Sequence, residues 1–107
     1  MEELKRYRIF YTTPAKLDIR AKIAYISDSL HDMRVASDWY TRLWNAIQEE
    51  LTFLPYKYPI YNRGRWANQG VHVFLHRNDI VLYEIDEERA IVYIRNVFTV
   101  GKDLTRD

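Results

Sequence analysis

The chain has no cysteine. Disulfide staples, thiol nucleophiles and the commonest structural zinc ligands are excluded together, which agrees with a reducing compartment. Glycine and proline are scarce, three of each in 107 residues. That leaves no Gly-rich phosphate loop and no low-complexity linker. Arg63-Gly64-Arg65 is too short to be such a loop, although it can present both cations on a tight turn. No apolar run reaches the length of a membrane span, and Met1-Glu2-Glu3 opens on acids instead of the basic-then-apolar order of a signal peptide. A cytoplasmic protein without membrane partners is expected. A charge excess is also lacking, since 16 Lys+Arg against 15 Asp+Glu leave +1. The whole molecule is therefore no obvious polyanion binder.

What is present suffices for one core. With 48% hydrophobic residues in 107, the chain reads as a single domain over residues 1–107. Tyr7 to Thr12 is short, rich in β-formers and followed by a stop, so it reads as a first strand. Thr13-Pro14 opens a helix, because a threonine oxygen can cap orphan amides and proline suits the first turn. Ala15, Ile19, Ile23, Ile26 and Leu30 fall along one face of that helix. Asp32 is the expected N-cap of a second helix, with its stripe at Ala36, Trp39, Leu43, Ala46, Ile47, Leu51 and Leu54 and its end at Pro55. Trp39 and Trp44 are five apart and cannot share one narrow stripe; Trp39 is the better core residue.

Three strands follow: Val71 to Arg77, Ile80 to Ile85 and Ala90 to Thr99. Asn78-Asp79 suits a two-residue hairpin turn, which would set Leu75 opposite Leu82, Phe74 opposite Tyr83 and His72 opposite Ile85. Asp86 to Arg89 forms the next turn, and Glu87-Glu88, like Glu49-Glu50, reads as solvated charge. The order is β-α-α-β-β-β, an α+β fold in which a small antiparallel sheet packs on a helical hairpin.

Chemistry-bearing constellations are few. His72 and His76 on a strand stand about 13 Å apart, four steps of about 3.3 Å, and cannot share a metal. No metal or other cofactor is expected. Ser27, Ser29 and Ser37 have no identifiable base. The one lopsided region is Tyr56 to Asn78, which holds Lys57, Arg63, Arg65, Arg77 and two histidines, no acid, and interleaved aromatics. Such a stretch can meet a phosphate-bearing or protein partner, or simply cover the core.

The run Val73-Phe74-x-x-Arg77-Asn78-x-Ile80-x-Leu82-Tyr83-x-Ile85-Asp86, with Val92-Tyr93-Ile94 and Lys102-Asp103, resembles the toxins of bacterial type II toxin–antitoxin modules, the RelE/ParE superfamily. Ala15-x-x-Asp18-Ile19, Tyr25-Ile26, Ala36, Leu51 and Pro55 extend the resemblance over the helical hairpin and toward the ParE-like branch. The fold it implies agrees with the order read above. It also implies a cognate antitoxin, for which Tyr40, Trp44, Phe74 and Tyr83 are candidate contacts.

Within the superfamily, RelE-like members cut messenger RNA on the ribosome, whereas ParE-like members inhibit DNA gyrase by protein contact. The strand lysines of the RNA-cutting branch fall near His72 and Phe74, and its next arginine near Ile80. In its basic tail only Lys102 remains. This favours a ParE-like inhibitor with no committed catalytic residue; a nuclease would have to use His72, Arg77 and Lys102. The target-facing surface expected from the basic-aromatic stretch and the family tail is Arg63, Arg65, Trp66, His72, Arg77 and Lys102. An inactive relative or a non-toxic RNA-binding domain is the remaining alternative.

Overall fold

The computed structural model describes residues 4–100. Lys102 and Asp103 therefore lie outside the described residues. A first strand, β1 (Arg8–Tyr11), leads into helices α1 (Thr13–Leu30) and α2 (Met33–Leu51). Two short 3-10 turns, Pro55–Lys57 and Gly64–Trp66, precede the strands β2 (His72–His76), β3 (Asp79–Asp86) and β4 (Ile91–Thr99). The strand order is β1-β4-β3-β2. The element order is the expected one, but the sheet is mixed: β1 runs parallel to β4, and the remaining pairs are antiparallel. Parallel neighbours need a long crossover. Here the helical hairpin and the next two strands supply it.

Local chemistry fixes the helix starts. The cap of α1 is Thr12, one residue earlier than expected; its Oγ1 accepts from the Ala15 amide at 3.4 Å, and Pro14 sits in the first turn. Asp32 caps α2 as expected, accepting from the Arg34 amide at 2.9 Å. His31 between the helices takes the left-handed conformation, φ 51°. The two helices bury Ala15 and Ile19, then Ala36, Leu43, Ile47 and Leu51. Leu30, the last residue of the expected α1 stripe, is exposed.

The hairpin turn is Arg77-Asn78, not Asn78-Asp79, because Asp79 is the strand partner of His76. Phe74 consequently faces Val81, His72 faces Tyr83 and Leu75 faces Ile80. Each partner moves by two positions, so the faces keep their expected membership. What holds Asp79 in the strand is its carboxylate, which is buried and accepts from Lys22 Nζ at 2.6 Å and from Trp39 Nε1 at 2.8 Å. Lys22 also donates to Thr99 Oγ1 at 2.9 Å and lies 5.0 Å from the Trp39 ring centre. One acid thereby joins both helices to the end of the sheet.

A bulge in β4 keeps its apolar residues inward. The partner of Leu82 is Asn96 and that of Tyr83 is Ile94, so Arg95 is the extra residue. Ile94 and Val97, three apart, would otherwise point to opposite faces. Past Ile94, β4 outruns β1, and the open Val97 amide donates to Asp18 Oδ2 of α1 at 2.9 Å. Thr12 Oγ1 donates to the Ile94 carbonyl at 2.7 Å.

The sheet is covered on both sides. The helix side holds Phe74, Val81, Tyr83, Val92, Ile94 and Val97 against both helices. On the other side Val71, Ile80 and Leu82 pack with Trp66, flanked by Tyr61, Val73 and Phe98. Among the described residues no helix is long and apolar enough to cross a membrane.

Replacing Asp79 by alanine leaves the Trp39 N–H without its acceptor and the Lys22 ammonium without its counter-charge, with only the Thr99 hydroxyl to receive it. The expected loss of stability is about 3 kcal/mol, the lower end for breaking a buried pair, measured as a shift in urea midpoint. A variant within about 0.5 kcal/mol of the parent, the range of ordinary surface substitutions, would show that the pair does not hold the elements together.

Candidate functional site

The acid-free stretch is the cover of the outer sheet face. Main-chain bonds from Tyr61 N to the Val71 carbonyl at 2.6 Å and from Val73 N to the Pro59 carbonyl at 2.9 Å lay it along the β2 edge. Gly70, at φ 68°, supplies the left-handed residue that turns the chain into β2. Trp66 is anchored beneath it, 7% exposed, with its amide donating to the Arg63 carbonyl at 2.9 Å. This corrects the expectation that Trp66 faces a target: the indole is the centre of the second core.

Cations surround that indole. The Arg65 guanidinium lies 4.8 Å from its ring centre and Arg95 lies 5.8 Å away. Arg95 is in turn paired with Glu84 across the β3–β4 ladder. Arg63, Arg65 and Arg77 are exposed, the last at the hairpin tip with φ 57°. They form the solvent-facing cationic part of the surface. Leu75, beside Ile80 on the outer face, is 62% exposed.

His72 does not join them. It points to the helix side, where its ring stacks on Tyr83 at 5.3 Å and Nδ1 lies 2.8 Å from the Tyr58 carbonyl. That carbonyl only accepts, so Nδ1 carries the proton. The sheet thus separates His72 from Trp66 and Arg65, and the set His72, Arg77 and Lys102 is not assembled among the described residues. Phe74 and Tyr83, expected to meet an antitoxin, are likewise corrected. Both are buried between sheet and helices, with the Tyr83 hydroxyl donating to the Pro55 carbonyl at 2.6 Å. Of the four candidates only Tyr40 and Trp44 are on the surface, one helical turn apart on α2.

Sequence reading missed the knot around Glu87. Its Oε1 accepts from the Tyr7 hydroxyl at 2.7 Å and from Tyr56 at 2.9 Å, and its Oε2 from Lys5 at 2.6 Å. These bonds, Lys5 first, hold the carboxyl down at about 2. Burial, reinforced by Glu87, pushes the Tyr7 phenol up to about 12. Lys5 and Tyr7 lie 82 and 80 positions from Glu87 and Tyr56 lies 31 away, so no local signal marks them. Glu50 is tied as well, accepting from Tyr58 and Lys57, both at 2.5 Å. Neither acid is simply solvated. Among the described residues no cluster of three or more His, Asp or Glu side chains is placed to hold a metal.

The fold has a solved counterpart. A chain of the toxin–antitoxin complex RelBE2 from Mycobacterium tuberculosis superposes with a TM-score of 0.65 at 19% identity, covering 95% of this chain and 100% of that one. The fold is RelE-type. No family model and no curated protein matches the chain. At this identity the likeness speaks for the backbone arrangement, so the α+β order read from periodicity and the RelE-type fold coincide, while the side chains of the surface must be judged on their own geometry.

The Glu87 knot makes stability depend on pH. The carboxyl sits at about 2 when folded against an ordinary 4.5, so protonation favours the unfolded chain. Its contribution is fully present above 4.5 and is lost as pH falls toward 2. Replacing Glu87 by glutamine should flatten the fall of the urea midpoint across that acid window; a slope identical to the parent's would place the acid sensitivity elsewhere.

Proposed function

We propose that this chain is the toxin of a type II toxin–antitoxin module, neutralised by a cognate antitoxin, and that it inhibits its target by protein contact. DNA gyrase, the target of the ParE-like branch, is the favoured candidate. The toxin reading draws on the RelE-type fold shared with a chain of RelBE2 and on the residue pattern that runs the length of the sequence.

The observation that carries the contact mechanism is burial. The positions where the RNA-cutting branch places its strand cations correspond to His72, Phe74 and Ile80, and all three are buried here. A site for cleaving RNA needs exposed groups that move a proton and offset phosphate charge. A contact inhibitor needs neither, only a shaped surface. Arg63, Arg65 and Arg77 supply its charge and Leu75 an exposed apolar anchor. Tyr40 and Trp44 on α2 are the residues for antitoxin contact. The second reading, ribosome-dependent cleavage of messenger RNA, draws on the likeness to RelBE2 itself.

Pulse-labelling of DNA, RNA and protein synthesis in bacteria, in the minutes after induction without antitoxin, separates the two. DNA synthesis is expected to fail first while translation continues. Early collapse of protein synthesis would instead establish the ribosomal reading. Replacing Arg63, Arg65 and Arg77 together by alanine should abolish growth inhibition and leave the circular dichroism spectrum unchanged. A folded triple variant with full toxicity would move the target-facing surface away from these arginines.

A further inference from the structure

The sheet has two edges, and they are treated differently. Along β2, main-chain bonds to residues 59–61 occupy the edge. β1 forms the other edge. The Arg8 amide donates to the Ala90 carbonyl at 2.9 Å and the Thr12 amide to the Ile94 carbonyl at 3.1 Å, so residues 8, 10 and 12 turn their main-chain groups toward β4. Main-chain groups alternate sides along a strand. Ile9 and Tyr11 therefore turn theirs away from the sheet, and among the described residues nothing pairs with them. The open stretch begins only after Tyr7, whose amide already donates to the Thr52 carbonyl at 2.7 Å.

Natural sheets blunt such an edge with proline, lysine or a bulge. Arg8–Tyr11 has none of these, and its register with β4 is unbroken. The outer face beside the edge is also open. Phe10 is 53% exposed and meets Tyr93 edge-on, with ring centres 5.6 Å apart. Arg8, Ile9, Phe10, Ile91 and Tyr93 line a cavity of about 430 Å³ there.

We propose that β1 pairs antiparallel with β1 of a second copy of this chain, about a two-fold axis at Phe10, joining the two sheets into one. The free groups select that axis. Ile9 and the partner's Tyr11 then exchange both their main-chain bonds, and Tyr11 does the same with the partner's Ile9. An axis at Ile9 would set Tyr11 against the partner's Tyr7, whose amide is held by Thr52. An axis at Tyr11 would set Ile9 against the partner's Thr13, which is in α1. With the axis at Phe10, that ring faces the partner's Phe10 as the close, non-hydrogen-bonded pair and extends the contact with Tyr93 across the interface. Arg8 faces the partner's Thr12, so no like charges are opposed.

Any extended chain has the main-chain groups for this edge. A second copy brings its strand already formed against β4, and so loses less conformational freedom than an unstructured segment would. Because the β2 edge is occupied, pairing uses the one open edge and closes at two copies. The joined sheet carries the Arg65–Trp66 platform twice, toward its two ends and on the same side. None of this depends on the toxin reading.

The test is sedimentation equilibrium of the full chain. The contact is short and belongs with transient interfaces, so the dilution series runs from about 1 µM to about 1 mM. The parent should pass from monomer to dimer within it. Phe10→Glu and Phe10→Lys, at an exposed position, should keep the parent's circular dichroism spectrum and urea midpoint. Each alone sets like charges opposite one another across the axis and should weaken dimerisation about tenfold or more. An equimolar mixture of the two sets opposite charges there and should dimerise again. That rescue requires residue 10 to face residue 10, which no dimer formed elsewhere on the molecule does. A parent that stays monomeric throughout would leave the edge to another kind of chain and overturn the proposal. Dimers unaffected by either variant, no recovery on mixing, or growth beyond two copies would overturn it as well.

Discussion

A sheet buried on both faces sets the terms for everything else in this molecule. In β3, five consecutive residues from Asp79 to Tyr83 are buried, so neither side of the strand can be left to water. The helical hairpin covers one side. Nothing in the order of elements supplies a second layer, and the segment between α2 and β2 takes that task. It does so with Trp66 and Tyr61 in place of a helix, because two large aromatic rings bring more apolar area per residue than any aliphatic side chain.

This double duty explains the mixture of residues in that stretch. The aromatics read as a recognition surface serve as a lid on the outer core. The arginines among them remain in solvent because a guanidinium can lie flat on an indole and still reach water. Arg65 and Arg95 approach Trp66 in this way. The charged surface is therefore mounted on a packed platform. The bulge at Arg95 belongs to the same arrangement, since it keeps Ile94 and Val97 inward while sending one cation to the outer face.

Much of the fold was legible in the chain because it is written in periodicity. The strand and helix order, the Asp32 cap and the membership of each sheet face all follow from spacing. The hairpin register was not legible, because Asn78-Asp79 is a better turn on local grounds than Arg77-Asn78. Only the distant Lys22 and Trp39, which claim the Asp79 carboxylate, reverse that preference. The parallel pairing of β1 was equally invisible, since β-formers announce a strand but not its neighbour. For the surface, composition gave Arg63, Arg65 and Arg77, which are exposed. It misplaced Trp66, His72, Phe74 and Tyr83, because an aromatic side chain in a strand has the same signature whether it faces a partner or the core. The Glu87 knot depends on side chains brought together across most of the chain, and no short window of sequence contains them.

The parallel pairing of the first and last strands has a consequence for how the protein comes into being. Thr12 reaches the Ile94 carbonyl across 82 positions, so β1 has no sheet to join until β4 has left the ribosome. Long-range closure of this kind is slow, and it comes after local structure such as the helical hairpin has formed. A nascent chain therefore carries its helices early and its finished sheet last. The outer face, with its cations set on Trp66, exists only once β4 has been made. A surface built this way can meet no partner until the last strand is in place, because the platform that holds its cations is not there before.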